Sequence, residues 1–235
     1  MDIRYILSDL LATRDLQEWV NHRFSAADRI VIDTTDIAEI TLKGGAKFRP
    51  TRSVANALHV HTEYDFSGIR PHDHVVDIGA CVGGFSIQAA LKEPTCHVYA
   101  VEPLYGEDLR ANIELNCLED QITVIEAGLG YGAPVHVAFG YLQKTIPTMP
   151  LKEIFALCGG CDFLKCDCEG GEWTINPLDL TGVRRVELEA HYGYQSAYPE
   201  TRALPDYLKA NYRVVKSQKN LPNLGGFYHC YSGDL

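Results

Sequence analysis

The sequence lacks a run of about 20 apolar residues, which is the length that a membrane-spanning helix needs. It is also short of positive charge, because 21 lysine and arginine residues stand against 31 aspartate and glutamate residues and leave a formal net charge of −10. Proteins that grip nucleic acid through its phosphates need a basic surface. We therefore expect no membrane span, and nucleic acid is an unfavoured partner.

The N-terminal segment lacks the marks of a secretory signal peptide. It has no basic leader and no small-residue cleavage site, and Asp2 and Asp9 interrupt its apolar residues. The apolar residues between positions 3 and 11 recur at helical spacing. This pattern predicts a docking helix at the start of a cytoplasmic protein.

The cysteines lack the spread of a secreted disulfide framework, although there are eight of them. Cys158 and Cys161 form a C-x-x-C pair, and Cys166 and Cys168 form a C-x-C pair shortly after it. Thiols this close together could ligate zinc or form a reversible disulfide. A C-x-C on an extended strand is poor ligand geometry, however, and free cysteine is a common small core residue. We expect buried or loop thiols here and no metal.

The segment HVHTE raises a second metal question. If the segment is extended, His59, His61 and Glu63 share one face and make a possible ligand set. If it is helical, only His59 and Glu63 are neighbours. We expect this segment to form a wall of a ligand pocket and not a metal site.

From residue 75 onwards, apolar segments of strand length alternate with segments of helical periodicity, which predicts a parallel sheet with helices on both faces. YRVVKSQ and GFYHCYS should close the chain as an antiparallel pair. PVHVAF is predicted as an additional edge strand, because Pro134 cannot donate to a central ladder. We divide the chain into residues 1–70, a helix and short strands packed on the core as a substrate-side cap, and residues 71–235, the main domain.

The glycine-rich segment DIGACVGG, residues 77 to 84, follows the first strand of this sheet, where ligands bind across the carboxyl ends of the strands. Cys81 takes the place of the middle glycine of the dinucleotide fingerprint, which lets a pyrophosphate approach the backbone. A ligand without phosphate tolerates this Cβ atom. Asp77 could hold a cationic amine, and Glu102, at the end of the second strand, could accept both hydroxyls of a ribose. An amine, a ribose and no phosphate describe S-adenosylmethionine.

Acidic residues gather where the fourth predicted strand ends. Asp167 and Glu169 are expected to share a strand face. Methyl transfer from a sulfonium mainly needs an aligned acceptor and a proton acceptor, and a carboxylate can serve as both. Glu172 is a further candidate, although Glu169 and Glu172 could instead only cap the following helix. His191, after the next strand, could be a general base at neutral pH or simply a partner of Glu189.

These motifs resemble those of the FkbM family of class I S-adenosylmethionine-dependent methyltransferases. The matching stretches, in family order and spacing, are VVDIGACVGGFS, VYAVEPLYGEDLRANIELN, ITVIEAGLG, FLKCDCEGGEW and VELEAH. The resemblance implies an α/β, Rossmann-like class I fold with a seven-stranded, mostly parallel sheet and an antiparallel C-terminal strand. It also implies methyl transfer, usually to oxygen. Cys81 departs from the family's usual asparagine, and Cys166 and Cys168 replace aliphatic residues.

The motifs and the resemblance together define the predicted site. The predicted cofactor-binding residues are Glu63, Asp77, Gly79, Ala80, Gly83, Glu102, Pro103, Ala127 and Asp167. The predicted catalytic residues are Asp167, Glu169, Glu172 and His191. No metal ligand is predicted.

The leading functional hypothesis is an O-methyltransferase that uses S-adenosylmethionine to modify a small molecule or a protein side chain. An RNA methyltransferase of the same fold is the first alternative, and the net charge of −10 weighs against it. A non-catalytic S-adenosylmethionine-binding or metal-sensing module and an oxidoreductase are the others. The methyl acceptor and the oligomeric state do not follow from the sequence.

Overall fold

The structure is a computed structural model. It describes residues 31–32, 39–42, 44–49, 57, 60–139, 142–192, 203–216 and 226–232. The predicted N-terminal docking helix lies outside these residues, and so do His59 and the side chain of His61. None of the described helices is long and apolar enough to cross a membrane.

The strands and helices are numbered in chain order. The described strands are β1 (Val31–Ile32), β2 (Ile40–Thr41), β3 (Lys47–Phe48), β4 (His74–Ile78), β5 (His97–Val101), β6 (Ile122–Ile125), β7 (Gly128–Leu129), β8 (Val135–Phe139), β9 (Leu142–Ile146), β10 (Thr148–Met149), β11 (Phe163–Cys166), β12 (Arg185–Ala190), β13 (Arg213–Lys216) and β14 (Gly226–Tyr231). The described α-helices are α1 (Val60–Glu63), α2 (Gly84–Lys92), α3 (Gly106–Leu115), α4 (Leu151–Leu157) and α5 (Ala203–Asn211). Within the described residues, three short 3₁₀ turns cover Phe66–Gly68, Gly171–Thr174 and Pro177–Leu180.

The central sheet has seven strands in the spatial order β13-β14-β12-β11-β4-β5-β6. Strands β6, β5, β4, β11 and β12 are parallel to one another, whereas β14 is antiparallel to both of its neighbours. The predicted fold class, a mostly parallel seven-stranded sheet with an antiparallel C-terminal strand, is confirmed.

Side chains along β4 alternate between two hydrophobic cores, one on each face of the sheet. Val75 packs in the core that contains Phe85 of α2 and Leu109 of α3. Val76 packs in the other core, which contains Leu208 of α5. The apolar residues of each strand therefore hold helices on both faces, as the alternating sequence pattern predicts.

The predicted edge strand PVHVAF forms over Val135–Phe139, and it belongs to a small separate sheet and not to the seven-stranded one. β8 pairs antiparallel with β9 in a separate two-stranded sheet. Lys144 of β9 donates to the carbonyl of Pro103 at 3.2 Å. The described side chains of this hairpin are mostly exposed, for example His136 and Gln143. A strand within the main sheet would be covered on both faces, and these polar residues do not suit that position.

The three short strands β1, β2 and β3 form an antiparallel sheet that packs on the main domain. Asn116, just after α3, accepts from the backbone N–H of Lys47 at 2.8 Å and donates to its carbonyl at 2.7 Å. Phe48 is fully buried in the core that it shares with α2 and α3. The described part of residues 1–70 is therefore continuous with the main hydrophobic core.

Candidate active site

A cavity of about 650 Å³ lies at the carboxyl ends of β4, β5, β11 and β12. This volume falls within the range of roughly 300–1,000 Å³ that is typical of small-molecule sites. The predicted cofactor-binding residues that line it are Glu63, Gly79, Ala80, Glu102, Pro103, Ala127 and Asp167. The predicted catalytic residues Glu169 and His191 line it too, whereas Asp77, Gly83 and Glu172 do not.

The glycine loop lies directly against the end of β11. Gly79 has a φ of 75°, and a Cβ atom there would lie 1.7 Å from the carbonyl oxygen of Asp167. Only glycine fits this position. Gly83 has a φ of 93°, and a Cβ there would meet Leu109 at 2.9 Å, so its role is to let α2 start close to α3. Cys81 also has a left-handed φ, of 50°.

Asp77 lies behind the glycine loop and not in the cavity. Its side chain is 0% exposed, and its Oδ1 atom lies 3.0 Å from Nζ of Lys165, which is 4% exposed. The Ser86 hydroxyl donates to Oδ2 at 2.6 Å. The internal cation Lys165 therefore takes the place beside Asp77 that the sequence predicts for the amine of a ligand.

Lys165 also binds the glycine loop that lines the cavity. Its Nζ donates to the carbonyl of Gly79 at 2.8 Å. Burial would lower the pKa of Lys165, but the carboxylates of Asp77 and Asp167 raise it above its usual value. The ammonium group therefore stays charged and fixes the glycine loop to β11.

Glu102 anchors the turn after β5. Its Oε1 accepts from the backbone N–H groups of Leu104 at 2.6 Å and Tyr105 at 3.1 Å, and its Oε2 accepts from Cys81 at 2.8 Å. Burial raises the pKa of Glu102, although these three bonds oppose the increase. A carboxylate has about four acceptor positions. About one remains for a ligand hydroxyl, fewer than the two hydroxyls that the sequence analysis assigns to it.

Three of the predicted catalytic side chains converge at one edge of the cavity. Nε2 of His191 lies 3.8 Å from Oδ1 of Asp167 and 3.5 Å from Oε2 of Glu169. Glu172 is fully buried beneath them, and its Oε1 accepts from the backbone N–H of His191 at 2.7 Å and lies 3.1 Å from Nδ1. Its Oε2 accepts from the N–H of Gly170 at 2.8 Å. Glu172 thus orients His191 and does not reach the cavity.

The predicted reason for the proximity of Asp167 and Glu169 is wrong, because they do not share a strand face. β11 ends at Cys166, and Glu169 has a φ of 54°. Such a left-handed conformation is uncommon for a residue other than glycine, and conformations of this kind concentrate at functional sites. The turn brings the Glu169 carboxylate back towards His191.

The surroundings of His191 favour its charged form. Burial would lower the pKa of His191, but its hydrogen bond to Glu172 and the charges of Glu172, Glu169 and Asp167 raise it to about 9. These carboxylates favour the protonated imidazole as long as no other cation lies between them, and the role of His191 as a general base stays a prediction.

The predicted site omits Glu189 and Tyr64. Glu189 lines the cavity, and burial together with the charge of Asp167 raises its pKa to about 8. Its position two residues before His191 could have identified it, since alternate residues share a face. Tyr64 donates its hydroxyl to Oδ2 of Asp167 at 2.9 Å and packs edge-on against Phe85. Tyr64 therefore fixes the Asp167 carboxylate, so that Oδ1 faces His191.

The clustered cysteines lie mostly in the core. Cys158 and Cys166 are buried, and Sγ of Cys166 lies 3.7 Å from Sγ of Cys168. Burial raises the pKa of Cys158 to about 12, which keeps it a thiol. Among the described residues, the one group whose donor atoms could share a metal ion is Asp167, Glu169 and His191. No cysteine belongs to it.

Comparisons with known proteins support the fold and nothing finer. No protein-family model matches the chain, and no curated protein matches it by sequence. The solved structure of the fibrillarin pre-rRNA processing protein of Methanococcus jannaschii is 12% identical, with a TM-score of 0.50 over 88% of this chain and 89% of that one. A human methyltransferase 10 domain containing protein is 19% identical, with a TM-score of 0.44 over 78% and 82% of the two chains. A precorrin-6y methyltransferase of Geobacter metallireducens is 15% identical, with a TM-score of 0.43 over 70% and 82%. The chain has the class I methyltransferase fold.

Proposed function

We propose that the protein is an S-adenosylmethionine-dependent methyltransferase that methylates an oxygen atom of a small molecule or of a protein side chain. The observation that carries this proposal is that one cavity brings together the glycine loop, Glu102 and the carboxylates of Asp167 and Glu169. The first two suit a nucleoside without phosphate, and the carboxylates suit a hydroxyl acceptor beside it.

The cofactor would lie along the glycine loop. Glu102 offers its remaining acceptor position to a ribose hydroxyl. Because Asp77 is paired with Lys165, the amine of the cofactor is left to a carboxylate that faces the cavity, such as Asp167 or Glu63. This revises the sequence-based assignment of the amine and keeps that of the ribose.

The reaction forms a bond between the acceptor oxygen and the methyl carbon while the sulfur–carbon bond breaks. The sulfonium leaves as the neutral thioether of S-adenosylhomocysteine, and the acceptor hydroxyl loses one proton. Because the thioether is a good leaving group, the enzyme mainly has to align the acceptor and accept its proton. Asp167 and Glu169 would do both. Tyr64 would hold Asp167 in place for this step.

The finer assignments rest on the sequence. Membership of the FkbM family is proposed on the motifs around Gly79, Glu102 and Asp167, and these motifs border the cavity. Glu63 and Tyr64 also line it, which supports the proposal that residues 1–70 cap the substrate side. A cytoplasmic location remains a prediction.

An RNA substrate is the weaker proposal. The printed name of the fibrillarin structure refers to pre-rRNA processing, and that structure shares the fold. Carboxylates of Asp167, Glu169 and Glu189 line the cavity, however, and the net charge is −10. Both features repel a phosphate backbone. A screen of candidate acceptors with methyl-labelled S-adenosylmethionine, including total RNA, proteins and small hydroxyl compounds, decides between these substrate classes.

S-adenosylhomocysteine should bind at least about tenfold more tightly than NAD, a difference of about 1.4 kcal/mol. The Cβ atom of Cys81 occupies the position where a dinucleotide pyrophosphate needs glycine, whereas a nucleoside thioether makes no such approach. Isothermal titration calorimetry of the full chain with each ligand measures the difference. Tighter binding of NAD would end the methyltransferase proposal.

Glu102→Ala should weaken binding of S-adenosylhomocysteine by about 1–3 kcal/mol, because a charge-assisted hydrogen bond to the ribose is lost. Calorimetry on the variant gives the affinity. Glu126→Ala is the matched control, since Glu126 is exposed just after the neighbouring strand β6 and lies outside the cavity lining. Glu102 also holds three backbone N–H groups, so the melting temperature is recorded alongside. Unchanged affinity in folded Glu102→Ala would place the ribose elsewhere.

A further inference from the structure

We propose that Asp167, Glu169 and His191 bind a divalent metal ion at the edge of the cavity. Their donor atoms all lie within 4.8 Å of one another. The set combines an imidazole with two carboxylates and comes from the ends of two neighbouring strands, β11 and β12. None of these three residues belongs to the cysteine pairs or to the segment HVHTE, where metal-ligand spacing is visible in the sequence.

The distances from Nε2 of His191 to the two carboxylates are too long for direct hydrogen bonds and suit an ion that lies between these groups. Nε2 of His191 lies 3.5 Å from Oε2 of Glu169 and 3.8 Å from Oδ1 of Asp167. Hydrogen bonds between nitrogen and oxygen are typically about 2.9 Å long. Two ligand atoms that each lie about 2.1 Å from one ion are roughly 3.0 Å apart at a right angle and roughly 4.2 Å apart across the ion. The observed distances fall between these limits.

Residues outside the ligand set hold two of the ligands in position. Nδ1 of His191 faces the fully buried Glu172 at 3.1 Å. This is the arrangement in which a carboxylate orients a metal-binding imidazole and leaves the other ring nitrogen for the ion. Tyr64 donates to Oδ2 of Asp167, so Oδ1 is the oxygen on the side of His191. Two of the three proposed ligands are thus aimed by partners that are not ligands themselves.

The charge of the cavity also favours a cation at this place. Carboxylates of Glu63, Glu102 and Glu189 also line the cavity, and the Glu189 carboxylate is close enough to interact with all three proposed ligands. Lys165, which also lines it, is already paired with Asp77. Like charges that are partly removed from water are costly unless a counter-charge accompanies them. A dication between Asp167 and Glu169 supplies two units of that charge, whereas a protonated His191 supplies one.

The ligand types indicate the class of metal. Two carboxylates and one imidazole, without a thiolate, suit manganese or magnesium better than a soft ion. The remaining coordination positions face the cavity and are open to water or to an oxygen of the acceptor. If an oxygen of the acceptor takes one of these positions, the ion would lower the pKa of the acceptor hydroxyl. This step rests on the proposed function.

Manganese is the probe for the test. The full chain, freed of metal by a chelator, is titrated with Mn²⁺, and the signal of the free ion in electron paramagnetic resonance gives the bound fraction. We expect one ion per chain. Glu169→Gln should weaken binding at least about tenfold, because a ligand charge is lost. Electron spin echo measurements on the wild-type complex should show modulation by a directly bound ¹⁴N nucleus, and His191→Gln should lose it.

The control separates coordination from general attraction. Glu63→Gln removes a carboxylate from the same cavity but no proposed ligand, so it should weaken Mn²⁺ binding less than about threefold, as expected for a partly screened charge. Equal weakening by Glu63→Gln and Glu169→Gln would overturn the proposal. So would absence of binding at about 1 mM Mn²⁺, the weak end of protein cation sites, or absence of ¹⁴N modulation in the wild type. These measurements need neither cofactor nor acceptor, so calorimetry with S-adenosylhomocysteine tests the proposed function separately.

Discussion

Lys165→Met should destabilise the protein by about 3–5 kcal/mol, because it leaves the buried Asp77 carboxylate without its cation. Both side chains are almost fully buried, and the Ser86 hydroxyl remains as the partner that Asp77 keeps. One neutral hydrogen bond does not offset the desolvation of a carboxylate. For a chain of this size the melting temperature should fall by about 10 °C. Chemical denaturation followed by circular dichroism measures the free energy of unfolding.

Two further variants test the cause of that loss. Lys152→Met removes a lysine from the exposed side of α4 and should change the stability by less than about 0.5 kcal/mol. The double variant Asp77→Asn with Lys165→Met should recover part of the lost stability, because no buried charge is then left unpaired. If Lys165→Met proves as mild as Lys152→Met, the ion pair does not hold the glycine loop.

The role of Asp77 shows where sequence reasoning stops. An aspartate at the end of a strand before a glycine loop can face a ligand or a neighbouring strand. The parallel register of β4 and β11 places Lys165 directly beside Asp77. Register between strands that are far apart in sequence comes from the packing of the whole sheet. The position of Asp77 at the end of a strand was therefore predictable from the sequence, whereas its pairing with Lys165 was not.

The main strands were predictable because each carries its own signal. β4, β5 and β11 are short, mainly apolar segments, as strands covered on both faces require, and the Asp77–Lys165 ion pair is the main exception. The hairpin was not predictable, because its second strand, LQKTI, is polar and shows no strand pattern strong enough to pair with PVHVAF. A local pattern specifies a strand, and only the tertiary structure specifies which strand it joins.

In the candidate site, the residues at strand ends were predictable, and those placed by tertiary structure were not. Asp167 and His191 follow two neighbouring parallel strands, whose register pairs Cys166 with Leu188, so their side chains must meet at one edge of the sheet. The left-handed turn at Glu169 has no such signal, since the sequence there does not demand it. The elevated pKa of Glu189 depends on burial and on carboxylates from other segments, which no local pattern contains.

Asp167→Asn should reduce methyl transfer by roughly 100-fold or more, the usual scale for losing an acid–base group. The substitution keeps the shape of the side chain, and the amide oxygen can still accept the Tyr64 hydroxyl. It removes only the charge. Steady-state kinetics with the acceptor identified in the screen gives turnover and cofactor affinity separately. Asp120→Asn, at an exposed position outside the cavity lining, should leave both unchanged.

The two kinetic constants distinguish the roles of the carboxylate. If Asp167 aligns the acceptor or receives its proton, turnover falls at saturating cofactor. If it holds the amine of the cofactor, affinity falls first and turnover at saturation recovers. Glu169→Gln should lower turnover at saturating cofactor more clearly than it lowers cofactor affinity. The Glu169 side chain is 48% exposed and that of Asp167 27%, so Glu169 is the more accessible to an acceptor. Melting temperatures complete the test. Asp167 and Glu169 would be structural residues if their variants lost much of their thermal stability while turnover stayed near that of the wild type.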